Sequence, residues 1–192
     1  MDKMQSQVRE FHEKFGHEVG ATPAVRFREL RTGLIAEETL EVLDAIKAND
    51  LVDTVDGLCD LVYVCYGAAV TFGVDLESHV CPAKPEPGAA VEIRDGKVWG
   101  RRILDASANA VTAIYIRDLV DAVEGLSRLI SEIWLAAAAF GIDLEPYYDE
   151  VHRTNMLKVG GSKREDGKIL KPKGWQPPRI AEMLEQQKAK AA

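Results

Sequence analysis

The sequence predicts an all-α bundle of four to five main helices. Three observations indicate this class: apolar residues recur at helical spacing along most of the chain, glycines end several of these periodic segments, and one helical segment occurs twice. The chain has 192 residues, of which 46% are hydrophobic, and this is enough to bury the core of one domain. We therefore expect a single helical domain over residues 1–192.

The first three helices are predicted from apolar patterns that end at turn residues. The first helix has one apolar stripe and should end at Gly16. This stripe consists of Met4, Val8, Phe11 and Phe15. A second helix is expected from about Ala24 to Asn49. A third, from about Asp50 to Phe72, is apolar nearly all round and should therefore lie at the centre of the bundle.

The segment from about residue 78 to 105 changes character and is predicted to be an insert. Its prolines indicate a loop, and the runs VEIR and KVWG flank Asp95–Gly96, a pair typical of a β-hairpin turn. We therefore expect a small hairpin. Helical periodicity returns over residues 105–140, with a break near 117–118 left open, and a last short helix should cover residues 146–156.

An internal repeat relates the third helix to a later segment. Residues 53–77 align without gaps on residues 121–145, and 12 of the 25 positions are identical. The repeat predicts two copies of one helix that pack side by side. The copies differ at a position that is a candidate for catalysis or metal binding, because Asp60 of the first copy is Arg128 in the second.

The C-terminal tail, residues 157–192, is predicted to be basic and irregular. Seven basic and two acidic residues lie between residues 151 and 174. Glycine pairs and Pro172 indicate a loop or a small hairpin in this stretch. The polar end beyond about Gln186 is expected to be frayed.

Charge and composition argue against several classes of protein. The chain has 31 acidic and 24 basic residues, whereas a general nucleic-acid binder has a basic face. Its three cysteines show no CxxC spacing, so neither a disulfide framework nor a zinc site is indicated. The apolar runs are short or carry a charge, which argues against a signal peptide or a membrane span. We expect a cytoplasmic protein that binds neither nucleic-acid polymers nor membranes.

Acidic side chains on two predicted helices are the main candidates for chemistry. Glu37, Glu38 and Glu41 crowd within little more than one turn of an apolar helix. Asp60 lies on the apolar third helix, with Asp56 one turn before it. Burying several carboxylates is costly unless cations compensate them. Mg²⁺ and Mn²⁺ prefer such oxygen ligands, and two ions held between helices suit attack of water on a phosphoanhydride.

The alternative is that these acids are surface charges paired with nearby basic side chains. The candidate partners are Arg26, Arg28, Arg31 and Lys47. An EExxE pattern by itself fits this alternative, since Glu is a good helix former. A carboxylate inside an apolar helix about 20 residues later favours the metal site instead.

Two stretches of the sequence resemble a known family. The EExxE segment followed by DGLCDLVYVCYG resembles the signature of MazG-like all-α nucleoside triphosphate pyrophosphohydrolases. The opening VREFHEKFGH and the tail VHRTNMLKVGGSKREDGKILKPKGWQPP are similar to the phosphoribosyl-ATP pyrophosphohydrolase-like branch found in phages and bacteria. The resemblance covers residues 5–77 and 140–178.

The resemblance implies hydrolysis of a nucleoside triphosphate to the monophosphate and pyrophosphate with Mg²⁺ or Mn²⁺. It implies metal binding by three acids and a role for Glu37 as a further ligand or as the base for the attacking water. The three acids are Glu38, Glu41 and Asp60. The family's usual ExxD motif has Gly57 in place of its Glu here, so Asp56 is the candidate substitute ligand.

The substrate is predicted less sharply than the reaction. The length and the insert are similar to members of the family that act on purine deoxynucleotides, dGTP in particular. Alternatives are dUTP or another pyrimidine nucleotide, a modified nucleotide, and phosphoribosyl-ATP.

Further residues are candidates for substrate binding. Basic and amide side chains of the tail could bind phosphate oxygens, although a solvated basic loop explains any single lysine equally well. These residues are Asn155, Lys158, Lys168 and Lys171. His12 and Tyr63 could contact the base or sugar, but a surface histidine and a core aromatic are the more usual roles.

The apolar third helix and its duplicate predict a large apolar interface and hence a homodimer or homotetramer. A rival interpretation from another class is a non-enzymatic helical oligomerisation module, in which the acids are surface charge. Turnover of nucleotides with Mg²⁺ or Mn²⁺ discriminates between the two.

Overall fold

The computed structural model describes residues 3–20, 28–76 and 78–191 and is helical in each of these ranges. The helices of the described residues are α1 (Lys3–Phe15), α2 (Arg28–Ala48), α3 (Leu51–Phe72), α4 (Gly96–Ile116), α5 (Leu119–Ala139), α6 (Leu144–Asn155) and α7 (Ile180–Ala191). These ranges contain no strand, and a single antiparallel bridge joins Lys163 to Ile169. The all-α prediction is confirmed. The predicted start of the second helix, Ala24, lies outside the described residues.

α3 is the central helix, as its all-round apolar sequence predicts. It packs against α1, α2, α5, α6 and α7. Asp50 caps its N-terminus by accepting a hydrogen bond from the Asp53 amide, and Gly73 ends it with a positive φ of 70°. By length and composition α3 could also cross a bilayer, but 83% of its apolar window is buried inside the protein, as in the core helix of a bundle.

The repeat found in the sequence extends to two whole helical hairpins. α2 and α4 start and end at positions that are 68 residues apart, and α3 and α5 start at the same offset. The turns between the helices are equivalent too. Asn49 and Arg117 both have positive φ angles, of 56° and 70°, and the side chains of Asp50 and Asp118 cap the helices that follow. The chain is thus built around a duplicated helical hairpin.

The two hairpins contact each other through equivalent residues. Thr39 Oγ1 on α2 lies 2.8 Å from Ser107 Oγ on α4, and these positions are again 68 residues apart. A contact between equivalent positions is expected where a twofold axis passes between two copies. The α4–α5 hairpin therefore packs on the α2–α3 hairpin about a local pseudo-twofold axis.

The hairpin expected within residues 78–105 is wrong. Asp95 adopts φ 52° and ψ 35°, but Gly96 then begins α4 instead of a second strand. The Asp-Gly pair indicates a positive φ correctly and says nothing about the element that follows. Ile103, Ala106 and Ala110 are buried at helical spacing, so the KVWG run forms the first turn of a helix. The break near residues 117–118 is confirmed.

The irregular tail expected over residues 157–192 is wrong for residues 180–191, which are helical, whereas the fraying expected beyond Gln186 stays a prediction. α7 continues to Ala191, and its residues Ile180 and Leu184 are buried in the core. Gln187 accepts a hydrogen bond from the Tyr147 hydroxyl at 2.6 Å. Gln187 also donates to the Gly141 carbonyl at 2.7 Å, and Met183 packs against the core, so both apolar and polar contacts hold this largely polar helix.

Candidate active site

A cavity of about 290 Å³ lies between α1, α2, α3 and the C-terminal tail. Its volume is near the lower end for small-molecule sites, which span roughly 300–1,000 Å³. Ten of the eleven site residues predicted from the sequence line it. They are His12, Glu37, Glu38, Glu41, Asp60, Tyr63, Asn155, Lys158, Lys168 and Lys171.

Two antiparallel helices bring the acids together at one end of this cavity. Glu38 is buried on the inner face of α2, and Asp60 lies half-buried on α3. Burial and the charge of Asp60 raise the pKa of Glu38, while burial and the charge of Asp56 raise the pKa of Asp60. Two such carboxylates are costly as a pair of anions, and a nearby cation relieves that cost.

Basic residues of the tail face the acids. Lys168 Nζ lies 2.8 Å from Glu37 Oε1 and 3.3 Å from Glu38 Oε1. Arg164 Nη2 lies 3.1 Å from Glu37 Oε2. The hydrogen bond from Lys168 lowers the pKa of Glu37 despite its partial burial. Glu37 is thus ion-paired in this structure, with its proton-accepting oxygens engaged by two cations.

Trp175 positions two further lysines at the acidic end. The Nζ atoms of Lys158 and Lys171 lie 5.8 and 4.6 Å from the centre of the Trp175 ring, within the range of a cation–π contact. The indole Nε1 donates to the Thr154 carbonyl at 2.9 Å. The tryptophan therefore anchors the tail to the end of α6.

Asp56 lies outside this cavity, in an adjoining one of about 490 Å³ that Glu41 and Asp60 also line. Its Oδ1 atom is buried and has no hydrogen-bond partner in the described part of the chain, and burial raises its pKa. A Cβ at Gly57, where the family's motif has glutamate, would lie 2.9 Å from Val42 Cγ2, so a side chain there would require Val42 to shift. Asp56 supplies a carboxylate at the neighbouring position.

The acidic residues fit a divalent cation by their chemistry. Within residues 3–20, 28–76 and 78–191, no three or more His, Cys, Asp or Glu side chains are already arranged to hold a metal ion. The hard carboxylate oxygens suit Mg²⁺ or Mn²⁺. Asp56 Oδ1 has no partner among the described residues, and burial raises the pKa values of Glu38 and Asp60 despite the nearby lysines; a bound cation would favour the charged form of each.

The other end of the cavity contains Arg31 and two histidines, none of which pairs with the acids. Arg31 is only 4% exposed, so its assignment as a surface partner of the glutamates is wrong. His12 is 1% exposed, which also corrects the surface assignment made for it. Burial lowers the pKa of His12 to about 3 and that of His17 to about 4, so both rings are neutral at pH 7.

The sequence predictions did not include Arg31 as a site residue, although its helical spacing from Glu38 could have identified it. It precedes Glu38 by seven residues, nearly two turns, and so lies on the same face of α2. His17, by contrast, follows the end of α1 in an irregular segment and stacks on Phe11 with ring centres 5.7 Å apart. No pattern in the sequence places such a residue.

Tyr63 is both a core aromatic and part of the cavity wall. It is buried, and its hydroxyl lies 3.1 Å from His152 Nδ1. Its ring packs edge-on against Phe11 at 5.6 Å. Asn155, also buried, is the last residue of α6 and lines the cavity nearby. Both side chains therefore form part of the cavity wall, with the Tyr63 hydroxyl already engaged by His152.

Comparison with known proteins gives one family and one relative. Residues 8–81 match the family described as phosphoribosyl-ATP pyrophosphohydrolase, and this segment contains all of α2 and α3. A protein of Acanthamoeba polyphaga mimivirus, described as uncharacterised, is 26% identical over 174 residues, which cover 79% of this chain and 69% of that protein.

Proposed function

Because the family match over residues 8–81 and the all-helical fold fit a MazG-like all-α nucleoside triphosphate pyrophosphohydrolase, we propose that this protein hydrolyses a (deoxy)nucleoside triphosphate to the monophosphate and pyrophosphate. The reaction depends on Mg²⁺ or Mn²⁺, and dGTP or GTP is the favoured substrate. The observation that carries the proposal is that acids and lysines face each other in one cavity.

A metal–nucleotide complex balances both sets of charge. Glu38, Glu41 and Asp60 hold the divalent cation, with Asp56 as a further ligand at the adjoining cavity. When bound, the cation supplies a water of lowered pKa and neutralises charge on the phosphates. Lys168 pairs with Glu37 and Glu38 in this structure, so a nucleotide whose phosphates bind Lys168 needs a cation to compensate the carboxylates that Lys168 leaves.

The tail lysines bind the phosphates. Lys158, Lys168 and Lys171 reach the cavity from the same basic segment, and ammonium groups donate charge-assisted hydrogen bonds to phosphate oxygens. Lys168 pairs with Glu37 Oε1, and Arg164 pairs with Glu37 Oε2. If Lys168 binds a phosphate oxygen instead, Oε1 is released to accept a proton from the attacking water, while Oε2 stays paired with Arg164.

A nucleotide panel tests the proposal. The purified protein is incubated with each dNTP and NTP, and with phosphoribosyl-ATP, in Mg²⁺ or Mn²⁺, and the monophosphate and pyrophosphate are quantified. We expect the fastest turnover with dGTP or GTP and none in the presence of a chelator. Faster turnover of dUTP, a modified nucleotide or phosphoribosyl-ATP would identify one of those as the substrate instead.

A matched pair of variants separates this site from a contaminating activity. Asp60→Asn should abolish turnover, whereas Arg128→Ala, at the equivalent position of the duplicated hairpin, should retain it. Absence of product with every nucleotide would contradict the proposal and favour an oligomerisation module.

Self-association is a further part of the proposal. Large apolar side chains are exposed around the turn between α4 and α5, namely Tyr115, Ile116, Leu119 and Val120. Such a cluster is typical of a protein–protein contact, which supports a homodimer or homotetramer. Light scattering of the eluted protein measures its mass in solution.

A further inference from the structure

Arg31 is a buried cation that has no counter-ion among the described residues. It is 4% exposed, its Nε atom has no hydrogen-bond partner, and no described carboxylate lies within ion-pair distance of it. A buried guanidinium without acceptors is costly. Arg31 also lines the cavity, so a ligand bound there could supply the missing acceptors.

The fold makes room for this side chain. A Cβ at Gly67 of α3 would lie 3.0 Å from Arg31 Nη1 and 3.4 Å from His12 Nε2. In the duplicated hairpin the equivalent positions, 68 residues later, are Trp99 and Leu135. The slot for a guanidinium therefore exists only in the hairpin that carries the acids.

The slot lies at a fixed distance from the acidic end. Arg31 precedes Glu38 by seven residues on α2, and Gly67 follows Asp60 by seven on the antiparallel α3. Seven helical residues span about 10 Å and return to nearly the same face. The wall between the two ends is formed by Leu34, Tyr63 and Val64. A nucleotide with its phosphates at the acids would therefore extend its base towards Arg31.

The chemistry of the guanidinium limits which base it can bind. Arginine presents parallel N–H donors that match two adjacent acceptors. Guanine offers such a pair in O6 and N7, whereas adenine places its amino donor beside N7 and thymine has only O4 on that edge. We propose that Arg31 binds the O6/N7 edge of guanine and thereby selects guanine nucleotides. This inference rests on the proposed function.

Substrate analogues test the inference directly. kcat/KM is measured for dGTP, 7-deaza-dGTP, dATP and dTTP with the wild-type protein, Arg31→Ala and Arg31→Lys. We expect dGTP to be preferred, and 7-deaza-dGTP, which lacks the N7 acceptor, to be hydrolysed less efficiently. Arg31→Ala should lower kcat/KM for dGTP by about 10- to 100-fold, the value of one bidentate pair, with a much smaller effect on dTTP. Lysine should not restore the preference, because it lacks the planar fork.

Two further measurements keep the test independent of folding and of turnover. Gly67→Ala keeps the arginine but crowds its Nη1 atom, so it should weaken the preference for dGTP in the same direction. Calorimetric titration with dGMP should show binding to the wild-type protein and weaker binding to Arg31→Ala. Thermal melting of each variant reports whether it is folded.

The outcomes separate the two proposals. No hydrolysis of any nucleotide would overturn the proposed function and this inference with it. Hydrolysis in which Arg31→Ala slows dGTP and dTTP equally, or in which dATP or dTTP is preferred over dGTP, would leave the proposed function standing and overturn the role of Arg31.

Discussion

The charged carboxylate of Asp60 is proposed to be needed for activity, but it lowers the stability of the fold. Burial and the charge of Asp56 raise its pKa from 3.8 to about 6, so its ionisation costs folding free energy that builds up between these two pH values and is constant above the higher one. In a chelator at pH 7, Asp60→Asn should therefore raise the free energy of unfolding by about 1–3 kcal/mol. The stability of the chelated wild-type protein should rise as the pH falls from about 6 to about 4, and the variant should show less of this rise. Urea unfolding at several pH values measures both effects.

The same variant reports on the cation. Mn²⁺ should raise the melting temperature of the wild-type protein, since a ligand that binds the folded state stabilises it, and should have no effect on Asp60→Asn. Arg128→Ala, which alters an exposed side chain, should respond as the wild type does. A variant that is still stabilised by Mn²⁺ would mean that Asp60 is not a ligand.

Glu150 differs from Asp60 in that its pKa is lowered and not raised. It is buried, and its Oε1 atom lies 2.7 Å from Arg153 and 3.0 Å from Arg179, which precedes α7. Hydrogen bonds from Arg153 and then Arg179 lower its pKa from 4.5 to about 2. Because a lowered carboxyl pKa stabilises the fold above pH 4.5, this contribution should be lost as the pH falls towards 2.

Glu150→Gln should lower the free energy of unfolding by about 1–2 kcal/mol at pH 7 and have little effect below pH 2.5. Asp149→Asn, which removes only an exposed pair with Lys3 at 2.7 Å, should cost less than about 1 kcal/mol. Equal losses in the two variants, measured by urea unfolding, would argue against a special role for Glu150.

At the scale of elements, the two hairpins are held by glycines in equivalent places but with unequal tolerance. A Cβ at Gly57 would meet the end of the Val42 side chain, whereas one at Gly125 would lie 2.8 Å from the Cα of Ala110. The Val42 side chain can adjust to an added methyl group, whereas the backbone of α4 at Ala110 cannot move without shifting the helix. Gly125→Ala should therefore destabilise the protein by about 1–3 kcal/mol, and Gly57→Ala by less, since alanine also favours the helix by up to ~1 kcal/mol. Chemical denaturation of both variants checks the order.

The sequence predicted elements whose signals are local. α3 was predicted because its cap Asp50, its end at Gly73 and its apolar faces all lie within the segment itself. The start of α4 was not, because Asp95–Gly96 indicates a turn and leaves the next element open. α7 was missed because its buried apolar residues, Ile180 and Leu184, are few, and this polar helix depends on contacts with distant residues such as Tyr147.

In the site too, features with a local sequence signal were predicted, and features that depend on distant contacts were not. Helical spacing was sufficient to predict that the acids of α2 and Asp60 converge on one cavity. The burial of Arg31 and His12 was not predictable, because it depends on how α1 packs over α3 and on the space left at Gly67. The family match over residues 8–81, together with the helical fold, confirms the resemblance found in the sequence.

At the scale of the whole molecule, the duplication explains why one hairpin carries the acids. A cavity of about 330 Å³ in the α4–α5 hairpin is the counterpart of the acidic one beside Asp56. Asn109 replaces Glu41 and Arg128 replaces Asp60 at the equivalent positions. A guanidinium and an amide cannot replace two carboxylates as ligands of a hard cation. The second hairpin completes the bundle without the carboxylates that Glu41 and Asp60 supply in the first.

This asymmetry predicts one nucleotide site per chain whatever the oligomeric state. Calorimetric titration with a non-hydrolysable α,β-imido analogue of dGTP and Mn²⁺ should give a stoichiometry of one per chain. Arg128→Ala should leave that value unchanged, because Arg128 lies in the counterpart cavity, and Asp60→Asn should abolish binding. Two equivalent sites per chain would show that the α4–α5 hairpin still binds substrate. One site per two chains would show instead that a complete site needs residues from both copies.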